Sequence, residues 1–438
     1  MKWAEVDRAI FYGLLNRGWS VVAGPITILL IGSHFSPVTQ GYYYTFQSLL
    51  TLQVLVELGF GVVIIQFASH EWSRLRLAGD GQITGDADAL SRLASLIRIA
   101  LRWYFAGGAI LALVLMVAGY LFFSQSASAD VNWVLPWLFL CALTGLRLWL
   151  TPLWSVIEGC NQVSQVYGYR LAEGIVASIV TWTAITAGAT LWVPVVASLV
   201  VFILAAIFLG IRFRDFFTNA LKAPVSSRID WHSEVWPMQW RTALSWLSGY
   251  LVFALFVPVI FYYQGAVLAG QVGMTLNITG ALSILASTWV AAKTPQFGLL
   301  IADKNYERLD RLFWRVAIAS TGMVAAGAAA VWFIVFMLNR TGYPLAFRLL
   351  PPLPFALFLA GTVLMVSTFS QSNYLRAHKR DPLAVVAVFV GLLTGVTVWL
   401  LAKYSTVTLI AAGYVAVSAI TSIAITFVWI RCRKVWHT

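Results

Sequence analysis

Charge is what this chain has least of. Of its 438 residues only 11% are charged while 60% are hydrophobic, against about 25% charged in a typical soluble domain. A chain so poor in charge cannot cover a water-facing surface, so most of its solvent is lipid. Cysteine is nearly absent: Cys141, Cys160 and Cys432 are scattered, with no C-x-x-C spacing, which excludes a thiolate metal cluster. The five histidines (His34, His70, His232, His378, His437) show no H-x-x-x-H pair. That pattern argues against a metal site and against a membrane acyl transferase with an intramembrane histidine base. No G-x-x-x-x-G-K-[ST] segment occurs, so any transport is not driven by the chain's own ATP hydrolysis. No cofactor is expected.

Long apolar runs are abundant. Runs of about 20 residues, enough to cross a bilayer, place helices at 11–31, 44–67, 99–123, 133–156, 168–188 and 190–211, and again at 238–262, 267–291, 314–337, 350–371, 383–402 and 406–430. The narrowest division is the tight hairpin Ala187, Gly188, Ala189, Thr190. The first run contains Arg17 and lacks a small-residue cleavage pattern, so it reads as a membrane helix, not a removable signal. Several tryptophans at span ends, such as Trp72, Trp133, Trp236 and Trp314, read as interface anchors.

The net charge of +12 resembles a nucleic-acid signal until it is mapped onto these spans. With the N-terminus in the cytoplasm, 22 of the 29 Lys and Arg residues fall on the inner side and three (Arg340, Arg348, Lys403) on the outer. Four more, Arg17, Arg102, Arg147 and Arg241, fall within spans. This is the positive-inside asymmetry; it predicts both termini in the cytoplasm and removes the case for nucleic acid. The longer connections, 69–98, 212–237 and 292–313, are then inner loops, and none is long enough to fold alone.

The two halves resemble each other. Gly41-Tyr-Tyr-Tyr-Thr precedes Gln66-Phe67-Ala68 by 25 residues, and Gly270-Gln-Val-Gly-Met-Thr precedes Gln296-Phe297-Gly298 by 26. Arg17 and Pro25 in the first opening helix correspond to Arg241 and Pro258 in the second half. A parallel duplication is expected, with lobes at 1–211 and 212–438 and a cavity between them.

Ionisable groups at bilayer depth are functional candidates because they are costly there. Glu57 and Arg147 lie nearest the expected midplane. Gln53, Glu57 and Gly61 stand at i, i+4, i+8, which predicts one polar helix face. For Glu57 two readings stand: a carboxylate that couples transport to H+ or Na+, or an ion-pair partner of Arg17 or Arg147. For Arg147 the readings are an anion contact, to which guanidinium is suited, a pair with Glu57 or Glu158, or a helix boundary set wrongly. Arg17, Arg102 and Arg241 lie nearer the inner ends and can extend to the headgroups. Glu158, Arg170 and Glu173 flank a short inner turn and read as structural.

Five segments carry a family resemblance: FSPVTQGYYYTF at 35–46, VELGFG at 56–61, QFASHEW at 66–72, EGCNQ at 158–162 and NYLRAHK at 373–379. In these the chain resembles the lipid-linked oligosaccharide flippases of bacterial polysaccharide pathways (Wzx-type), within the multidrug/oligosaccharidyl-lipid/polysaccharide exporter superfamily. The resemblance implies an all-α inner-membrane protein of about twelve transmembrane helices, in two pseudo-symmetric six-helix lobes around a central cationic cavity. It implies alternating access that carries an undecaprenyl-pyrophosphate-linked glycan to the outer leaflet, with membrane lipids and polysaccharide polymerase machinery as partners. Arg147, Arg17 and Arg241 become pyrophosphate contacts, and Glu57, Gln53 and Asn277 the coupling or cavity polar residues. Two other functions compete. A multidrug antiporter of the same superfamily would favour carboxylates in its cavity. A membrane glycan polymerase would need a large outer loop with acid and base residues, and the loops at 124–132 and 338–347 are short.

Overall fold

The computed structural model describes residues 2–78, 82–125, 131–224, 226–236, 239–240, 243, 254–378 and 382–437. Among them are fifteen α-helices and one two-stranded antiparallel hairpin. Nine of the described helices are long and apolar enough to cross a membrane, and one bent pair makes a tenth candidate span. The chain is thus a multi-pass membrane protein. Each expected span other than 238–262 carries a helix. That one falls largely outside the described residues; its end is present as Phe256–Gln264. The helix at 163–186, which carries Arg170 and Glu173, is not among the nine.

The chain divides into two compact units: 1–35 with 49–247, and 36–48 with 248–438. In the first, α1 (Lys2–His34) runs unbroken through Pro25. A second membrane segment begins in the other unit as α2 (Pro37–Leu50) and enters this one as a 3-10 turn, α3 (Val54–Glu57) and α4 (Phe60–Trp72). Strands β1 (Leu75–Leu77) and β2 (Ile83–Gly85) follow. Then come α5 (Ala87–Ser124), α6 (Val134–Gly159), α7 (Val163–Thr186), α8 (Val193–Arg212) and the short α9 (Arg214–Lys222).

Packing here relies on small residues and tryptophan hydrogen bonds, as expected where lipid supplies no hydrophobic drive between helices. Trp19 Nε1 on α1 donates to the Gly174 carbonyl (3.2 Å) and to Ser178 Oγ (3.1 Å) on α7. Further along the same seam, Trp182 Nε1 on α7 donates back to Thr27 Oγ1 (2.9 Å). On the α5–α6 seam Gly108 faces Gly145 so closely that a Cβ on either would stand 3.0 Å from the other's carbonyl oxygen.

The expected inner loop at 69–98 is mostly regular structure. Asp86 caps α5, its carboxylate accepting from Asp88 N–H at 3.0 Å, so the helix starts well before the apolar run at 99. Hydropathy reads only the length of helix that faces lipid, and α5, at 38 residues, is far longer than the roughly 20 a bilayer needs. An ion-pair cluster holds its extension. Glu71, 1% exposed, bonds Arg74 Nη2 (2.7 Å) and Arg92 Nε (2.9 Å), and Arg92 Nη2 reaches Glu234 (2.6 Å).

The second unit contains α2, α10 (Phe256–Gln264), α11 (Ala266–Ala302), α12 (Tyr306–Thr341), α13 (Pro352–Ala377), α14 (Ala384–Tyr404) and α15 (Val407–Trp436). The expected loop at 292–313 is likewise largely the ends of α11 and α12. Here the motif glycines of the two halves meet. A Cβ on Gly270 would lie 2.9 Å from Gly41 N, and one on Gly41 only 1.9 Å from the Ala266 carbonyl oxygen. Beside them buried Gln40 donates from Nε2 to the carbonyls of Gly270 (2.9 Å) and Arg348 (3.0 Å). At the other end of this unit Phe297, Phe313, Tyr374 and Trp429 form an aromatic core.

Candidate functional site

The first unit encloses a charged cavity of about 190 Å³ among its membrane helices. Its floor comes from a break in a membrane segment. After α3 the backbone turns left-handed at Leu58 (φ 43°) and Gly59 (φ 69°), and α4 starts afresh at Phe60 with a 42° bend. Glu57 is the last residue before that break. A break leaves backbone groups without helical partners, which in a membrane must be met by protein or water. Trp103 Nε1 meets one of them, donating to the Val56 carbonyl at 2.8 Å.

The continuous polar face of Gln53, Glu57 and Gly61 is therefore not formed. Gln53 and Glu57 line the cavity, but Gly61 lies beyond the break and faces Ser155 Oγ, where a Cβ would stand at 3.2 Å. The i, i+4, i+8 spacing holds only for an unbroken helix.

The opposite walls come from α6, α7 and α8. Arg147, Thr151 and Trp154 stand at i, i+4 and i+7 on α6, so one helical face presents all three. Trp154 is held flat by stacking on Tyr169 (4.4 Å between ring centres) and Phe208 (5.8 Å). From α7 comes Glu173, and from α8 the apolar Val201, Phe202 and Ala205.

Arg147 Nη2 stands 3.7 Å from Glu173 Oε1. That is a coulombic pair, longer than a hydrogen bond, and it leaves the guanidinium donors available. The partner is neither Glu57 nor Glu158. Glu158 bonds Arg170 instead, at 3.0 Å, which ties the α6–α7 turn. Glu173 is the residue that sequence reasoning assigned to that turn and so missed. The helix α7 starts at Val163, not 168, and carries Glu173 nearly three turns inward. The available signal was the Arg170–Glu173 spacing of i, i+3, which puts both on one helical face.

Of the other expected site residues, Arg17 is exposed on α1 and does not line this cavity. Asn277 is exposed on α11 of the second unit. Arg241 lies outside the described residues. Among the described residues no group of three or more His, Cys, Asp or Glu side chains forms a metal-binding cluster.

With both carboxylates ionised the cavity holds two negative groups and one positive. Such a set can take up a proton or a small cation on the carboxylate side, or an anion on the arginine side if Glu173 yields. Both are binding chemistry.

No protein-family model and no curated protein matches the sequence. The fold does match solved structures. One is an inward-facing multidrug resistance MATE family transporter of the MOP superfamily, with TM-score 0.64 and 14% identity over 94% of this chain and 98% of that one. Another is the lipid II flippase MurJ in an inward closed conformation, with TM-score 0.63 and 14% identity over 95% and 87%. A third is the MATE multidrug transporter DinF-BH, with TM-score 0.62 and 11% identity over 99% and 96%. Along nearly its whole length the chain folds as the MATE transporters of the MOP superfamily and the lipid II flippase MurJ do.

Proposed function

We propose that the protein is a secondary transporter of a bacterial cytoplasmic membrane, with both termini inside, that flips an undecaprenyl-pyrophosphate-linked oligosaccharide from the inner to the outer leaflet. The observation that carries transport is the charged cavity set at a helix break between apolar helices. Ionisable groups in such a place serve a path for ions or substrate. The lipid-linked substrate rests on the five family-like segments and on the fold shared with a lipid II flippase. No bond is made or broken.

In this reading Arg147 contacts the pyrophosphate. Its loose pair with Glu173 gives way to bidentate phosphate contacts, which are shorter and stronger. Arg17 and Arg241 are further contacts. Glu57, with Gln53 beside it, takes the coupling H+ or Na+, and Asn277, on α11 of the other unit, is a further polar candidate. The polymerase machinery that consumes such a glycan is the proposed partner.

The test is leaflet translocation of a fluorescent undecaprenyl-pyrophosphate oligosaccharide in reconstituted vesicles. Arg147→Ala is expected to lose most of the flux while remaining folded, and Glu57→Gln to lose the response to an imposed ion gradient. Wild-type protein that moves no glycan under any gradient would overturn the flippase.

A second reading, an ion-coupled multidrug antiporter, draws support from the two carboxylates around one arginine, a set suited to cationic compounds. It predicts raised drug tolerance on overexpression, lost in Glu57→Gln.

A further inference from the structure

The second unit holds another cavity, wider than the first at about 630 Å³, where α11 ends and α12 begins. After Ala302 the chain turns through Asp303 and Lys304 (φ 54°), and Asn305 caps the next helix by accepting from Arg308 N–H at 3.2 Å. The cap sets the phase of α12. Leu309 and Phe313 are buried in the aromatic core with Phe297 and Tyr374. Arg308, Arg311 and Arg315, at i, i+3 and i+7, are left facing the cavity on the outer side.

These three guanidinium groups are poorly neutralised. Arg311 has an exposed pair with Glu307 at 3.4 Å, the weak kind. Arg308 and Arg315 have no ion pair among the described residues, and Asp303 is the one acidic residue in the lining. The remaining wall is Gln296 and the apolar Leu299, Leu300 and Leu312. Leu299 is 67% exposed, and Trp314 (49%) and Ile318 (67%) are exposed on α12 close by. Exposed large apolar side chains and a tryptophan directly beside unpaired arginines mark the level where hydrocarbon meets headgroups. The Lys and Arg asymmetry assigns this level to the cytoplasmic leaflet, whose lipids are the anionic ones.

We infer that this cavity is a binding site for an anionic phospholipid of the surrounding membrane. The headgroup phosphate is held by Arg308, Arg311 and Arg315, and the glycerol and upper acyl chain lie over Leu299. The volume falls in the range of small-molecule sites. Charge complementarity selects the anion, and the leucine wall selects a lipid over a free phosphate. The site is distinct from the Glu57–Arg147 cavity, which lies in the other unit.

The test is native mass spectrometry of the full chain in detergent, titrated with phosphatidylglycerol and, separately, phosphatidylcholine. The wild type is expected to retain one phosphatidylglycerol in preference to phosphatidylcholine. The triple variant R308Q/R311Q/R315Q is expected to weaken that binding by on the order of a hundredfold, at about fivefold per arginine. R431Q/K434Q, which removes two exposed charges of α15 outside the cavity, is expected to bind as wild type does. Equal binding of the two lipids, unchanged binding by the triple variant, or an equal loss in R431Q/K434Q would each overturn the proposal. So would displacement of the lipid by glycerol 3-phosphate at comparable concentration, because the site would then be one for a soluble phosphate. The positions are exposed, and an unchanged thermal melt of the triple variant separates lost binding from lost fold.

Discussion

Gly41 offers the sharpest test of the packing. It lies mid-helix on α2, and a Cβ built there would stand 1.9 Å from the Ala266 carbonyl oxygen and 2.5 Å from its carbonyl carbon. Ordinary van der Waals contact begins near 3.4 Å, so the two segments must separate by about 1.5 Å to admit one methyl group. The obstruction is backbone, at the first residue of α11, so no side chain can rotate away. Overpacking typically costs about 1–3 kcal/mol, and a backbone obstruction belongs at the upper end. At roughly 2–4 °C per kcal/mol for a unit of about 200 residues, Gly41→Ala is expected to lower the melting temperature in detergent by about 6–12 °C. Gly280→Ala is the control: it sits on α11 with nothing within 4 Å of its would-be Cβ, and the gain in helix propensity is about 0.5–1 kcal/mol. Equal melting temperatures for the two variants would refute the claim that the motif glycines exist for close helix approach.

Glu71→Ala removes the buried acceptor of Arg74 and Arg92. Arg74 keeps Asp86 and Arg92 keeps Glu234, so the loss is that of charge-assisted hydrogen bonds, about 1.5–3 kcal/mol; the melting temperature should fall while Asp86→Ala, at the exposed edge of the cluster, has a smaller effect. The imidazole of His437 is held below its ordinary value, chiefly by burial and then by the nearby His378 and Arg433, against the opposing pull of Asp310. It stacks on Tyr306 at 4.1 Å and meets Tyr374 Oη at 3.1 Å. Because the folded form resists protonation, its stabilising contribution is complete above pH 6.5, the ordinary value, and is lost as the pH falls below that. Hydrogen-exchange protection at the end of α15, corrected for the intrinsic rate, should therefore fall as the pH drops below about 6.5, and His437→Phe should flatten that dependence. Gly59→Ala, in a left-handed conformation (φ 69°), is expected to cost about 1–2 kcal/mol and to disturb flux more than its effect on melting would suggest, since it resets the break beside Glu57.

Composition and hydropathy by themselves determined that this is a helical multi-pass membrane protein and which stretches of the described chain carry its membrane helices, though not where those helices start or break, because a bilayer demands long apolar stretches with their backbone bonds closed internally. The same reading picked out Glu57, Gln53 and Arg147, since charge at bilayer depth is conspicuous in any sequence of this kind. Three matters were decided only by tertiary contacts. The helix broke at Leu58–Gly59, because apolar flanks read alike whether the backbone is straight or kinked. Arg147 took Glu173 as its partner, because which of several carboxylates meets a guanidinium depends on the rotation of α6 against α7, and that is set by packing such as Trp154 on Tyr169. The matched glycines at 41 and 270 proved to be neighbours: a repeat in the sequence records that two segments are alike, and only the folded chain brings them into contact.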